Sequence, residues 1–125
     1  MKKEQQLLTH FHFVIGEQLE NYEFDLIAIE DITINAITYE RYLYKDKVSK
    51  QLFNIVPKRI ILYFNVDVLC EVHFYFNSDF FNFFINKIKR YKIDFNRMDE
   101  KIYCVLIHNV NLVINVGLET HVKLY

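Results

Sequence analysis

The 125 residues contain no tryptophan, only two glycines (Gly16 and Gly117), one proline (Pro57) and two cysteines (Cys70 and Cys104). Phosphate-cradling loops and dinucleotide fingerprints need clustered glycines so that backbone can approach the phosphate closely. Both are excluded, and most nucleotide-dependent enzymes with them, so no cofactor is expected. Two cysteines are too few for a disulfide framework; they read as small buried hydrophobes of a reducing compartment. No window reaches the ~18 uninterrupted apolar residues of a membrane span, because Asn65, Asp67, Glu71 and His73 divide the longest candidate. The N-terminus, MKKEQQLLTHFHFVIGEQLE, is interrupted by Glu4, His10 and His12 and is followed by no small-residue cleavage site, which argues against a signal peptide. A soluble, cytoplasmic protein with no membrane partner is the expectation.

What is present is a globular composition. With 52% hydrophobic, 17% aromatic and 25% charged residues, the chain is too apolar for disorder and short enough for one domain. A chain of this length buries roughly two-thirds of its unfolded surface, so a core forms without disulfides or a structural metal. Fifteen Ile, eleven Asn, twelve Phe and nine Tyr are residues that AT-rich codons specify, which points to a low-GC bacterium, its phage or a similar genome.

Between residues 4 and 22, Leu7, Leu8, Phe11, Val14, Ile15, Leu19 and Tyr22 recur at spacings of three and four, the pattern of an amphipathic helix. From Glu23 the period changes. Phe24 to Ile29 is apolar on both faces, as in a central strand, and Ile32 to Tyr44 reads as a second strand after a turn at Glu30 and Asp31. Asp46 is placed to cap a short helix with Val48, Leu52, Ile55 and Val56 on one face and Pro57 as its stop. From Ile60 to Phe76 every even position is apolar. That unbroken parity favours one long bent strand, or a hairpin whose loop near Asn65 to Leu69 has an odd number of residues. The even residues should be buried and the odd polar ones face solvent or a partner.

Ser78 is expected to cap a second helix, running to about Lys92, with Phe81, Phe84, Ile85, Ile88 and Tyr91 as its buried stripe. Strands follow at about Lys101 to Ile107, Leu112 to Val116 and Leu118 to Leu124, with Asn109 and Asn111 as turn residues between the first two. The expected fold is a single-domain α+β protein, residues 1 to 125, in which an antiparallel sheet of five to six strands carries two main helices.

Several constellations invite chemistry. Cys70, His73, Cys104 and His108 have the residue types of a zinc site. In strands, however, Cys70 and His73 point to opposite faces, and Cys104 and His108 are separated by about 13 Å, so no metal site is expected. His10, His12, Glu71 and His73 supply groups for acid–base work, but His10 and His12 differ by about 200° around a helix, so no catalytic residue is assigned. Lys87, Lys89, Arg90, Lys92 and Arg97, interleaved with Tyr91 and Phe95, have the composition of a nucleic-acid patch. Bases in the last turn of a helix are also what the macrodipole favours.

The least bland feature is charge segregation. Between Lys3 and Arg41 there is no Lys or Arg, while Glu4, Glu17, Glu20, Glu23, Asp25, Glu30, Asp31 and Glu40 contribute eight negative charges. Residues 41 to 125 carry thirteen bases and eight acids, a net of +5. Glu17, Glu20, Glu23, Asp25, Glu30 and Asp31 crowd into one short segment, with Glu17 and Glu20 near a negative helix end. Local stability does not select this arrangement; a basic partner or solubility does.

In size, lack of motifs and acidic segregation the chain resembles, in general character, the immunity proteins that bacteria make against their own secreted toxins and phage inhibitors that mimic nucleic acid. The expectation is a non-enzymatic protein that binds a basic partner, such as a toxin or nuclease domain, through Glu17, Glu20, Glu23, Asp25, Glu30 and Asp31. The alternative is a small nucleic-acid-binding protein or ribonuclease-like enzyme using Lys87, Lys89, Arg90, Lys92 and Arg97.

Overall fold

In the computed structural model, which describes residues 2–125, the chain begins with helix α1 (Lys2–Thr9) and strands β1 (Leu26–Ala28), β2 (Ile32–Ile34) and β3 (Ile37–Tyr44). It continues through β4 (Arg59–Asn65), β5 (Val68–Asn77), helix α2 (Phe80–Lys89), β6 (Asn96–Arg97), β7 (Ile102–Ile107), β8 (Val110–Val116) and β9 (Glu119–Leu124). The nine strands form one open sheet in the order β1-β3-β4-β5-β9-β8-β7-β6, with β2 also pairing β3, and every pairing is antiparallel. The expected sheet of five to six strands is therefore wrong. Two of the anticipated strands are each two, and β6 was not anticipated.

The physical reason lies in the turns. Asn35–Ala36, Val66–Asp67 and His108–Asn109 are two-residue reversals in which both residues take positive φ, from 46° to 67°. Such turns suit the right-handed twist of the strands but usually advertise themselves by glycine, and none of these contains one. The long alternating run thus holds a hairpin, one of the two alternatives its parity left open, but closed by a two-residue loop and not by an odd-numbered one. The parity argument failed for a second reason: Asn65 pairs Val68 and Phe64 pairs Leu69, but Tyr63 pairs Glu71, so Cys70 is an extra residue on β5. This bulge cancels the inversion that a two-residue turn imposes. Ile60, Leu62, Phe64, Val72, Phe74 and Phe76 are buried as expected; Val66 is on the turn and exposed, and Leu69 replaces its neighbours in the core.

The core lies between one sheet face and the two helices, where Leu7, Phe11, Phe80, Phe84 and Ile88 meet Val72, Phe74, Leu112, Ile114 and Val122. Helix α1 stops at Thr9 instead of running to Tyr22. Phe11 and Phe13 both enter the core on either side of His12 (φ 65°), a period of two that no helix can follow. The next stretch is tied to the β4–β5 turn: Gly16 N–H donates to Leu69 O, Leu69 N–H to Glu17 O and Leu19 N–H to Asp67 O, each at 2.8 Å. Gly16 has φ 101°, which any side chain would strain. Gly16→Ala should lower stability by about 1 kcal/mol in urea unfolding, despite the open space around it.

β1 is a sheet-edge strand of three residues and not a central one. The Asp46-capped helix is a 3-10 turn at Lys47–Lys50, with Ser49 N–H donating to Asp46 Oδ1 at 3.3 Å; of its expected stripe only Leu52 is buried. In α2 the stripe turns by one residue, so Phe80, Phe84 and Ile88 are deepest while Phe81 and Ile85 are partly buried. Asp79, not Ser78, occupies the N-cap position and makes no side-chain cap bond. Cys70 and Cys104 are free thiols, half-buried.

Candidate functional site

The segment from Val14 to Asp25 crosses the end of the β4–β5 hairpin as two short 3-10 turns, Leu19–Asn21 and Glu23–Asp25. Its acids divide into two groups. Glu17 is spent on local structure: its carboxylate accepts from Val14 N–H at 3.1 Å, from Asn21 Nδ2 at 3.2 Å and from the Tyr22 hydroxyl. Asp25 is half-buried beside the Tyr44 phenol, whose pKa is raised by burial and then by Asp25 and Asp46. The Glu17 carboxylate is thus taken up by three local hydrogen bonds, and the Asp25 side chain is only partly open to solvent.

Glu20, Glu23, Glu30 and Asp31 are exposed. Folding adds two acids that the segment itself lacks. Asp67, brought in by the β4–β5 turn, lines a cleft of about 230 Å³ with Gln18, Leu19, Glu20 and Glu23. Glu40 accepts from the Tyr42 hydroxyl at 3.3 Å; the Tyr42 pKa is raised by burial, then by Glu40, Asp31 and Asp67. Tyr42 is therefore the point at which the two halves of the acidic surface join. Among the described residues, none of Glu20, Glu23, Glu30, Asp31, Glu40 and Asp67 forms an ion pair.

Two apolar side chains frame these carboxylates. Phe24, next to Glu23, is 89% exposed, and Val66, next to Asp67, is 82% exposed. Val66 is also a β-branched residue at φ 48°, a conformation that costs on the order of 1 to 2 kcal/mol and that an asparagine or glycine would occupy without strain. Stability selects against this residue twice, by strain and by exposure. Neither Val66 nor Asp67 stood out in the sequence, since both fitted the alternation of a strand.

Four of the five basic candidates lie in or just after the last turn of α2, and the fifth, Arg97, lies on β6. Lys87 lies over the Phe83 ring at 5.3 Å, Lys89, Arg90 and Lys92 are exposed around the end of α2, and Arg97 is on β6, over Tyr103 at 5.8 Å. The early end of α1 corrects a second expectation. His10 and His12 line one cleft of about 390 Å³ with Ser49, Gln51, Asn54 and Lys87. His12 Nε2–H donates to Gln51 O at 2.6 Å, and His10 Nε2 lies 2.7 Å from the Tyr91 hydroxyl. Burial, and then His12, lowers the His10 pKa.

A third cluster was missed because its members are 48 residues apart. On the sheet face away from the helices, Glu71 accepts from His73 Nε2–H at 2.9 Å. A carboxylate can only accept, so His73 Nδ1 is left to accept from His121 Nε2–H at 2.8 Å. The two imidazoles are sandwiched between Tyr63 and Tyr75, with ring centroids 4.2 to 4.8 Å apart, and Arg59 caps Tyr75 at 4.0 Å while binding Glu119 through two nitrogens. Every ring face in this stack is occupied by a neighbour, which makes it a structural ladder. Among the described residues no group of three or more His, Cys, Asp or Glu is placed to hold a metal ion, and no helix is long and apolar enough to cross a membrane.

No family model, no curated protein and no solved structure matches the chain.

Proposed function

We propose that the chain is a non-enzymatic binding protein that neutralises a basic protein, a toxin or nuclease domain, in the manner of an immunity protein or inhibitor. The carrying observation is the surface of Glu20, Glu23, Glu30, Asp31, Glu40 and Asp67, which forms no ion pair among the described residues and is framed by exposed Phe24 and Val66. Unpaired carboxylates steer a cationic partner, and an aromatic anchor inside a charged surround is the anatomy of a binding hot spot.

Charge reversal tests the reading. With the single stoichiometric protein recovered from the native host as ligand, Glu20→Lys, Glu23→Lys or Asp67→Lys should slow association and flatten its salt dependence, with the melting temperature little changed. Glu17→Lys should instead destabilise, because it breaks three local hydrogen bonds. If binding survives every exposed reversal, the acids serve solubility alone. Val66→Gly separates stability from function: it should raise stability by about 1 kcal/mol in urea unfolding, while weakening partner binding.

A second reading, a small nucleic-acid-binding or ribonuclease-like protein, draws on the cleft of His10, His12 and Lys87. It predicts recovery of RNA or DNA from the host and loss of that binding in Lys87→Glu, the opposite ranking of the two surfaces.

A further inference from the structure

β1 and β2 are one edge strand interrupted by a bulge. The β1–β3 register (Leu26 to Tyr44, Ile27 to Leu43, Ala28 to Tyr42) continues through Ile29 N–H, which donates to Arg41 O at 3.0 Å. Beyond Glu30 and Asp31 the pairs Ile32 to Tyr39, Thr33 to Thr38 and Ile34 to Ile37 are displaced by one residue. Glu30 and Asp31 therefore stand together opposite Glu40, and Arg41 Nε–H holds the bulge by donating to Glu30 O at 2.8 Å.

Antiparallel parity fixes where the peptide groups point. Lys45 N–H donates to Asp25 O at 2.7 Å, so Asp25, Ile27 and Ile29 turn their peptide groups toward β3. Leu26 and Ala28 turn theirs outward, and beyond the bulge Thr33 does the same, since a two-residue turn makes Ile34 and Ile37 the hydrogen-bonded pair. No backbone bond among the described residues uses these outward groups. Exposed Ile27 begins an apolar row, Ile27, Leu43 and Ile61, on the outer face of the sheet.

Open edges are ordinarily blunted by short strands, bulges, charged side chains (lysine above all), proline or a covering element. This edge is short and bulged, but it carries no lysine or proline along β1 and β2, and its charges are of one sign: Glu23, Glu30, Asp31 and Glu40 border it, so it repels an acidic strand and attracts a basic one. We propose that the partner engages by strand addition: an extended segment bearing lysine or arginine pairs with the outward peptide groups of Leu26, Ala28 and Thr33 and sets its cations against Glu30 and Asp31. This rests on the acidic-surface reading and specifies the partner as an extended basic strand.

Capped heptapeptides of alternating lysine and valine are the probe, with the glutamate–valine counterpart and a lysine–valine peptide N-methylated at every central residue as controls. Amide exchange and chemical shifts of the 15N-labelled protein report binding. The lysine peptide should slow exchange at Leu26 and Ala28 and shift Thr33; the glutamate peptide should not bind, and N-methylation should weaken binding at least tenfold. Ala28→Pro, which removes an N–H that the fold does not use, should weaken it at least tenfold with the melting temperature retained. Equal binding of the methylated and unmethylated peptides overturns strand addition and leaves the acidic surface standing as an electrostatic site. Equal binding of the lysine and glutamate peptides overturns the charge selection, and with it the acidic reading. Failure of the lysine peptide to perturb Leu26, Ala28 and Thr33 overturns the proposal outright, whether or not Ala28→Pro folds.

Discussion

Phe84→Ala should destabilise the protein by about 3 to 5 kcal/mol, the range for deleting a buried phenyl ring. Phe84 has no accessible surface and sits where α2 meets the rest of the core, with its ring 6.2 Å from Phe11 edge-on, 6.0 Å from Phe53 and 5.3 Å from Phe80. These neighbours belong to three separate segments, so they cannot all close in on the vacated volume. In a chain of this size the loss corresponds to a fall in melting temperature of roughly 10 to 20 °C. Ser78→Ala should change stability by less than about 0.5 kcal/mol, because Ser78 caps nothing and its role, accepting from the Thr120 hydroxyl at 3.3 Å, uses its backbone carbonyl. Similar small effects at both sites would show that α2 is peripheral.

Acidification should destabilise the protein through the stacked pair of His73 and His121. Burial lowers the His73 pKa against the opposing pull of Glu71, and lowers that of His121 to about 4, helped by His73 and Lys123. The fold therefore favours the neutral imidazoles. The stability they confer is complete above the unfolded value of about 6.5 and is lost as the pH falls from there through the folded value near 4. Glu71, held below the usual carboxylate range mainly by its hydrogen bond to His73, adds a loss in the same direction at lower pH still. Tyr63, Tyr75, Arg41, Arg59 and Lys123 complete the surroundings; a protonated pair would add two cations to a site that already faces three. His121 is only half-buried, so screening leaves on the order of 1 to 2 kcal/mol for it between pH 7 and 4.5. Urea midpoints across that range should fall in the native protein and fall less in His121→Gln. Parallel curves would place the acid sensitivity elsewhere.

The fold was partly legible because some of its signals are local. Phe84 and Ile88 lie on a helical stripe that survives in α2, and Ile60, Leu62, Phe64, Val72, Phe74 and Phe76 keep the parity that buries them. Helix α1 was over-extended because Leu7, Phe11, Ile15 and Leu19 satisfy a helical spacing equally well when Phe11 and Phe13 enter the core from extended backbone. Strand number was undercounted because Asn35–Ala36, Val66–Asp67 and His108–Asn109 adopt left-handed backbone without glycine, at a cost that only the surrounding strand pairing can offset.

The acidic site divides the same way. That Glu20, Glu23, Glu30 and Asp31 are concentrated and unaccompanied by lysine or arginine is a property of the sequence alone, since no base lies between Lys3 and Arg41. So is the burial of alternating apolar residues, because the two-residue period of a strand is set by covalent geometry. Only the tertiary structure decided that Glu17 is consumed by Tyr22, Asn21 and Val14, that Asp67 and Glu40 join the surface, and that β1 and β2 lie at the sheet's edge. Likewise His10 and His12 share a cleft, and His73 finds His121 across 48 positions of chain. Strand order and long-range pairing depend on which surfaces meet when the whole chain closes, and a local pattern does not encode that choice.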